Sequence, residues 1–317
     1  LSKNLLLREL RSNRNKITAI DVTVNDSLVV FEVGRNELTS VTGINNKPIL
    51  EKLSIHNRNN DPEPRNKVDS LDASGSPLLD VIFAEYNNLS FINVAGSKLI
   101  KTINVNGNQL TNIDLSTVDS LKHLYAEKNL LTELDLSNNT NLQLLYLENN
   151  DKLDSLDVSN NKKLYGLRVL HSDELKYLNM KNGMMEMTVF DARFTPKLTC
   201  IETLDPNAAK AKWSYDNKNI DLGDSFAINC GSLDYPDNGD FVLSFDGTDD
   251  YVDMGSPDLE IDTTATFSAW IYPQAENGVI AMQGFSHAGS EHGWVVAIGW
   301  DDWDPSESDP KELVWAS

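Results

Sequence analysis

Residues 121–150 read LKHLYAEKNLLTELDLSNNTNLQLLYLENN and carry one spacing twice. Leu121, Leu124, Ala126 and Asn129 return as Leu142, Leu145, Leu147 and Asn150. Between them lies a different half, LTELDLSNN, at 131–139. Two unlike half-turns thus make one repeat of about 21 residues, and self-similarity of that period outranks any local propensity in deciding a fold.

The pattern extends in both directions. Apolar-x-apolar triplets start at Ile20, Phe31, Val41, Leu53, Leu71, Ile82, Ile92, Ile103, Ile113, Leu124, Leu134, Leu145, Leu156, Leu167, Leu178, Val189 and Ile201. The long step, from Leu53 to Leu71, contains NRNNDPEPRNK at 57–67, a polar stretch with two prolines that reads as a loop inserted on one turn. Alternation within a triplet sends its first and third residues inward and the residue between them outward. One turn cannot bury such a face alone, so turns must stack and share a continuous core. Where the chain bends between half-turns it leaves backbone donors and acceptors without partners. The recurring Asn36, Asn87, Asn108, Asn129 and Asn150 are placed to satisfy them through their amides, as a structural ladder. Asp114, Asp135 and Asp157 of the LDLS and LDVS halves are expected as turn or ladder residues.

These alternating LxxLxLxxN and LTxLDLSxN halves resemble the 21-residue leucine-rich repeats of surface and secreted bacterial proteins, a form common in Bacteroidetes and similar to some internalin-type adhesins. The resemblance covers roughly residues 15–203. It implies a β-rich solenoid with few helices and an extracellular binding or adhesion role. Many such relatives carry Cys inside the strand triplet, where this chain has Ala84, Val105, Ala126 and Leu147.

Cys200 and Cys230 are the two cysteines, a number and spacing that suit one disulfide or two buried thiols. A solenoid also needs a cap over its last apolar turn. KLTCIETLDP, followed by AAKAKWSYDNKNIDLGDSFAINC, resembles the C-terminal cap of the same bacterial proteins, which pairs LxCI with a later Trp and a terminal Cys. That resemblance implies a Cys200–Cys230 disulfide. Closing a loop of this length is worth roughly 3 kcal/mol in the chain-entropy model, and a disulfide implies an oxidising, extracytoplasmic location, secreted or at the cell surface.

Beyond the cap the texture becomes all-β. FVLSFDG, YVDMG, TFSAWIYP, GVIAMQG, GWVVAIGW and ELVWAS alternate between apolar and polar and are separated by turn residues. FVLSFDGTDDYVDMG followed by ATFSAWIYP resembles the opening of laminin-G-like, concanavalin A-like jelly-roll domains. The expected organisation is a leucine-rich solenoid at 1–199, a cap at 200–231, a linker at 232–239 and an incomplete laminin-G-like sandwich at 240–317. The closely spaced Asp246, Asp249 and Asp250, with Asp253, suit calcium, a hard cation that takes oxygen ligands. The same DGTDD run also reads as a hairpin turn. His287 and His292 fall in a Gly- and Ser-bearing loop, FSHAGSEHGW. Calcium aside, no cofactor is expected.

The formal net charge of -21 argues against nucleic acid, whose affinity rests on neutralising phosphates, and against anionic membranes. No run of about 20 apolar residues predicts insertion in a membrane. HExxH, GxSxG, Walker and GxGxxG motifs are all missing, so the chain is expected to bind and not to catalyse. The outward positions of the LxxLxLxxN strands run Glu32, Ser54, Phe83, Asn104, Tyr125, Tyr146, Arg168 and Phe190, with Tyr86, His123, Tyr165 and His171 flanking them. Aromatics and arginine set where water should be are typical of interface anchors. The candidate ligand face is therefore Phe83, Tyr86, His123, Tyr125, Tyr146, Tyr165, Arg168 and Phe190, for a protein or a glycan. Two alternatives stay open: the targeting, carbohydrate-binding part of a larger polysaccharide-degrading enzyme, and a structural spacer.

Overall fold

The computed structural model describes residues 1–60, 65–183 and 187–230, and the backbone of three further strands at 278–283, 294–298 and 313–316. Asp246, Asp249, Asp250, His287, His292 and the expected linker at 232–239 lie outside the described residues.

The first unit is a parallel β-solenoid of leucine-rich turns. Its LxxLxLxxN halves supply nine three-residue strands that form one sheet: Glu9–Arg11, Val30–Glu32, Lys52–Ser54, Val81–Phe83, Thr102–Asn104, His123–Tyr125, Leu144–Tyr146, Gly166–Arg168 and Val189–Asp191. All neighbours are parallel and in register, so Leu124 lies between Ile103 and Leu145 while Tyr125 lies between Asn104 and Tyr146. Equivalent residues of successive turns therefore stack on themselves. Central strand residues such as Phe31, Leu53, Ile82, Ile103, Leu124, Leu145 and Leu167 are wholly buried and form one continuous cluster along the coil.

The opposite side behaves differently. Its strands pair as Ala19–Asp21 with Ser40–Thr42, and as Ser70–Asp72 with Phe91–Asn93. A third group runs Ser155–Asp157, Tyr177–Asn179, Cys200–Glu202 and Ser225–Ala227. The turns through Ile113–Leu115 and Leu134–Leu136 form no strand there. A coil that curves toward its nine-stranded sheet produces this contrast. Turns crowd into hydrogen-bonding distance on the inside and fan apart on the outside, beyond the spacing of about 4.8 Å that a ladder needs. The nine-stranded sheet is thus the concave face.

Two ladders of buried polar side chains hold the corners. Asn108 Nδ2 donates to Ala84 O of the preceding turn at 3.0 Å and to Val105 O of its own at 2.8 Å, while its Oδ1 accepts from Leu89 N at 3.0 Å. Asn36, Asn87, Asn129 and Asn150 make the same set. In the enlarged turn two asparagines share the position. Asn57 and Asn66 clasp each other through Asn57 Nδ2 to Asn66 O at 2.9 Å and Asn66 N to Asn57 Oδ1 at 3.2 Å. Asn66 then joins the ladder, bonding Val33 O and Ile55 O. The second ladder lines the other corner through Ser76, Ser97, Asn139 and Asn161, and Asn139 Nδ2 donates to Leu115 O at 3.2 Å and Val118 O at 3.0 Å. Asp21, Asp72, Asp114, Asp135 and Asp157 each accept from the backbone N–H two residues on, closing a tight turn after the outer half.

The coil continues through Cys200–Glu202, which pairs with strands on both sides, so stacking runs past residue 199 before the cap takes over. The cap is a short helix, Pro206–Lys212, with Asp205 at its N-cap and proline in its first turn, where the missing N–H costs nothing. Trp213 is buried behind it against Phe190 (4.9 Å between ring centres) and Phe226 (6.0 Å). A disulfide joins Cys200 to Cys230. Beside it Glu202 accepts from Lys181 Nζ at 2.7 Å, the Tyr177 hydroxyl at 3.0 Å and Cys230 N at 3.0 Å, three donors that hold its carboxyl below the usual range despite burial.

In the second unit, Gly278–Gln283, Trp294–Ile298 and Leu313–Ala316 form an antiparallel three-stranded sheet. They coincide with three of the runs whose alternation predicts strands.

Candidate functional site on the concave sheet

Register decides which side chains meet on the inner sheet. The third strand position aligns Arg11, Glu32, Ser54, Phe83, Asn104, Tyr125, Tyr146, Arg168 and Asp191 in one row. Charges are paired at the N-terminal end, where Glu32 takes Arg11 and Lys52 together, and Lys52 Nζ lies 5.7 Å from the centre of the Phe83 ring. The middle is aromatic. Tyr125 and Tyr146 meet edge to face with ring centres 5.4 Å apart, and His123 lies 6.4 Å from Tyr125. Burial raises the Tyr125 hydroxyl above its ordinary value, helped by Tyr146, Tyr165 and Glu127 nearby. Arg168 lies over Tyr146 at 5.4 Å, and its Nη1 forms an ion pair with Glu148 at 2.7 Å.

A parallel row lies two residues further along each turn: Glu85, Asn106, Glu127 and Glu148. Strand alternation persists past the last paired residue, so these side chains share the concave face. Asn104 Nδ2 donates to Glu85 at 2.7 Å, and Glu127 N donates to Asn106 Oδ1 at 2.9 Å. Burial, reinforced by the negative charge of Glu127, pushes the Glu85 carboxyl up to about 7. Burial, reinforced by Glu148, does the same to Glu127, also to about 7. One oxygen of each, Glu85 Oε2 and Glu127 Oε2, is buried without a hydrogen-bond partner. Sequence reasoning missed this row because it treated the strand triplet as the whole face; extending the alternation by one more step would have found it.

The next residue of each turn forms a rim in left-handed conformation. It includes Arg35, Tyr86, Gly107, Lys128, Asn149, His171 and Phe194. Glycine and asparagine tolerate this region, while a bulky side chain there costs about 1 kcal/mol. Tyr86 and Gly107 are complementary, for a Cβ on Gly107 would strike the Tyr86 ring. His171 and Phe194 stack face to face at 4.4 Å, with Arg193 over Phe194 at 5.6 Å.

Phe83, Tyr125, Tyr146 and Arg168 thus lie together on the concave sheet, with His123 beside them and Tyr86 at the rim. Tyr165 sits just ahead of its strand and is exposed. Phe190 does not belong to the face. It pairs with Leu167, is 4% exposed and packs against Trp213, so it is a core residue, and Asp191 takes the outward position. Val189 mimics the first residue of a triplet, but the step from Gly166–Arg168 to Val189–Asp191 is longer than 21 residues and shifts the phase by one.

No family model and no curated protein matches the chain. Among solved structures it is similar to the functional domain of InlJ from Listeria monocytogenes, described as including a cysteine ladder, at 22% identity and a TM-score of 0.42, covering 61% of this chain and 48% of that one. It is also similar to the LRR protein LIC12759 of Leptospira interrogans, at 16% identity and a TM-score of 0.43, covering 63% and 55%. Internalin C2 of Listeria monocytogenes str. 4b F2365 matches at 15% identity and a TM-score of 0.35, covering 69% and 80%. The chain spans about half the length of the first two.

Proposed function

We propose that this chain is an extracytoplasmic recognition protein whose concave sheet binds a protein partner, without turnover. The observation that carries the proposal is the Tyr125–Tyr146 edge-to-face pair. It is half-buried in the middle of a bonded nine-stranded sheet and flanked by Arg168 and the carboxylate row. Tyrosine and arginine on a rigid support provide contact area at small entropic cost, the pattern of binding anchors. The Cys200–Cys230 bond supports placing the chain outside the reducing cytoplasm. The FVLSFDGTDDYVDMG motif supports reading 240–317 as part of a laminin-G-like domain that adds a second contact.

The test is selection of a displayed library of random peptides and small domains on the immobilised full chain. Binders are then rescreened on the Tyr125→Ala/Tyr146→Ala variant, with a glycan array run alongside. Binders that lose their affinity for the variant while its melting temperature is unchanged support the proposal. A pool that binds both forms equally moves the site elsewhere, and retention of glycans alone replaces protein with carbohydrate as the partner.

A further inference from the structure

Residues 231–317 follow Cys230 in sequence, and the structure shows how that exit is held. We propose that the end of the cap is a load-bearing coupling: tension arriving from the chain beyond Cys230 enters the solenoid at Cys200 and passes by the cap residues that lie between. The inference is independent of what the concave sheet binds. The last three residues before the exit are each fastened to the outer side of the coil. Lys181 Nζ donates to Ile228 O at 2.8 Å and to Asn229 Oδ1 at 3.1 Å. Cys230 N donates to Glu202 Oε1 at 3.0 Å, and Cys230 Sγ is bonded to Cys200. Lys181 and Glu202 are themselves paired at 2.7 Å, so the fastenings form one connected group of charge-assisted bonds around the disulfide. Burial does not account for them, because Asn229 is exposed and Ile228 and Cys230 are only partly covered.

The two strands that could receive the load differ in how they are held. Ser225–Ala227, the last strand before the exit, lies at the edge of its sheet and pairs among the described residues with Cys200–Glu202 alone. A three-residue strand bonded on one side parts one bond at a time when drawn from its end, and the contact of Phe226 with Trp213 goes with it. Cys200–Glu202 has a neighbour on each side, Tyr177–Asn179 and Ser225–Ala227, and Ile201 at its centre is wholly buried. Drawing it out breaks two ladders and opens the core together. The disulfide thus moves the point of attack from the weakly held strand to the firmly held one. Lys181, two residues past Tyr177–Asn179, spreads the same load to the turn before.

The experiment stretches the full chain between tags ligated to its two ends, first in an oxidising buffer and again after the folded protein is reduced with a phosphine. Steps that arise beyond Cys230 are common to both states and drop out of the comparison. With the disulfide intact, residues 201–229 lie outside the path of the load, and the coils should open with no earlier step from the cap. Reduction should add a first step, at a force well below that which opens the coils, with a gain of about 10 nm for a separation of 30 residues. Cys200→Ser/Cys230→Ser should show the same step without reductant. Lys181→Met should lower the force of that step in the reduced chain and leave the record of the oxidised chain unchanged. The inference is overturned if reduction adds no separate step, so that the cap leaves only together with the coils, or if Lys181→Met leaves the force of the first step as it was. It is also overturned if reduction alone lengthens the chain before any load is applied, since the bond would then stabilise the cap and not carry tension past it.

Discussion

Asn129 holds the turn beneath it by the backbone of Val105: its Nδ2 donates to Val105 O at 3.0 Å, across 24 residues of sequence. The same amide bonds Ala126 O at 3.0 Å and accepts from Leu110 N at 3.1 Å. With a further bond to Glu127 O at 3.3 Å, one buried side chain thus meets four backbone groups from two adjacent turns.

Asn129→Ala removes those bonds together and strands the Leu110 N–H away from water, while Val105 O keeps its bond from Asn108 Nδ2. A loss of about 2–4 kcal/mol is expected in urea denaturation. Asn112→Ala removes an exposed amide bonded to the Glu133 side chain and should cost less than about 0.5 kcal/mol. Equal losses at the two sites would show that the amide ladder does not hold the turns.

The left-handed rim separates residues retained for their side chains from residues that merely tolerate the backbone. Lys128 is exposed at φ 55°, and Lys128→Gly relieves its backbone, so stability should rise by up to about 1 kcal/mol. Phe194, at φ 59°, stacks on His171, so Phe194→Gly forfeits the ring contact along with the strain and should gain nothing. Thermal melting of the two variants compares them directly, and an equal gain at both positions would remove the case for a selected rim.

Stability should depend on pH through the carboxylate row. Glu85 and Glu127 titrate at about 7 in the folded chain and near 4.5 when unfolded. Between those values the folded state holds more protons than the unfolded state. The stability they contribute is therefore complete below pH 4.5 and is lost as pH rises through 7. Glu127→Gln cannot ionise. Its unfolding free energy should fall less from pH 5 to pH 8 than that of the parent, by on the order of 1 kcal/mol. Parallel pH profiles would mean that the row is already compensated in the folded chain.

Much of this fold is legible in the sequence because a solenoid is almost one-dimensional: each turn meets only its neighbours, so the spacing of Leu121, Leu124 and Ala126 fixes what lies above and below. The inner asparagines were legible for the same reason, since one residue type recurs at one position. The second ladder was not, because its corner accepts Ser97, Val118 and Asn139 in turn, chemically unlike residues that share only small size or a polar reach. Phe190 was misplaced because a lengthened turn shifts the phase while Val189 preserves the apolar pattern. Glu85 and Glu127 look like solvated charges in sequence. Only stacking reveals that they line up on either side of Asn106 on the inside of a curve, where burial leaves neither room for a full hydration shell.

The unequal bonding of the two sides also determines how the coil responds to load. The inner side is one bonded ribbon, while the outer side is in separate pieces, with no strand pairing across Ile113–Leu115 and Leu134–Leu136. Flexing at those turns changes the radius of the arc without rupturing paired strands and loads only the Asn139 ladder and single backbone bonds such as Leu130 N to Leu110 O, whereas flexing near Tyr177–Asn179 or Cys200–Glu202 strains paired strands. The compliant joint therefore lies directly behind Tyr125 and Tyr146, and the stiff end is the one that the disulfide closes.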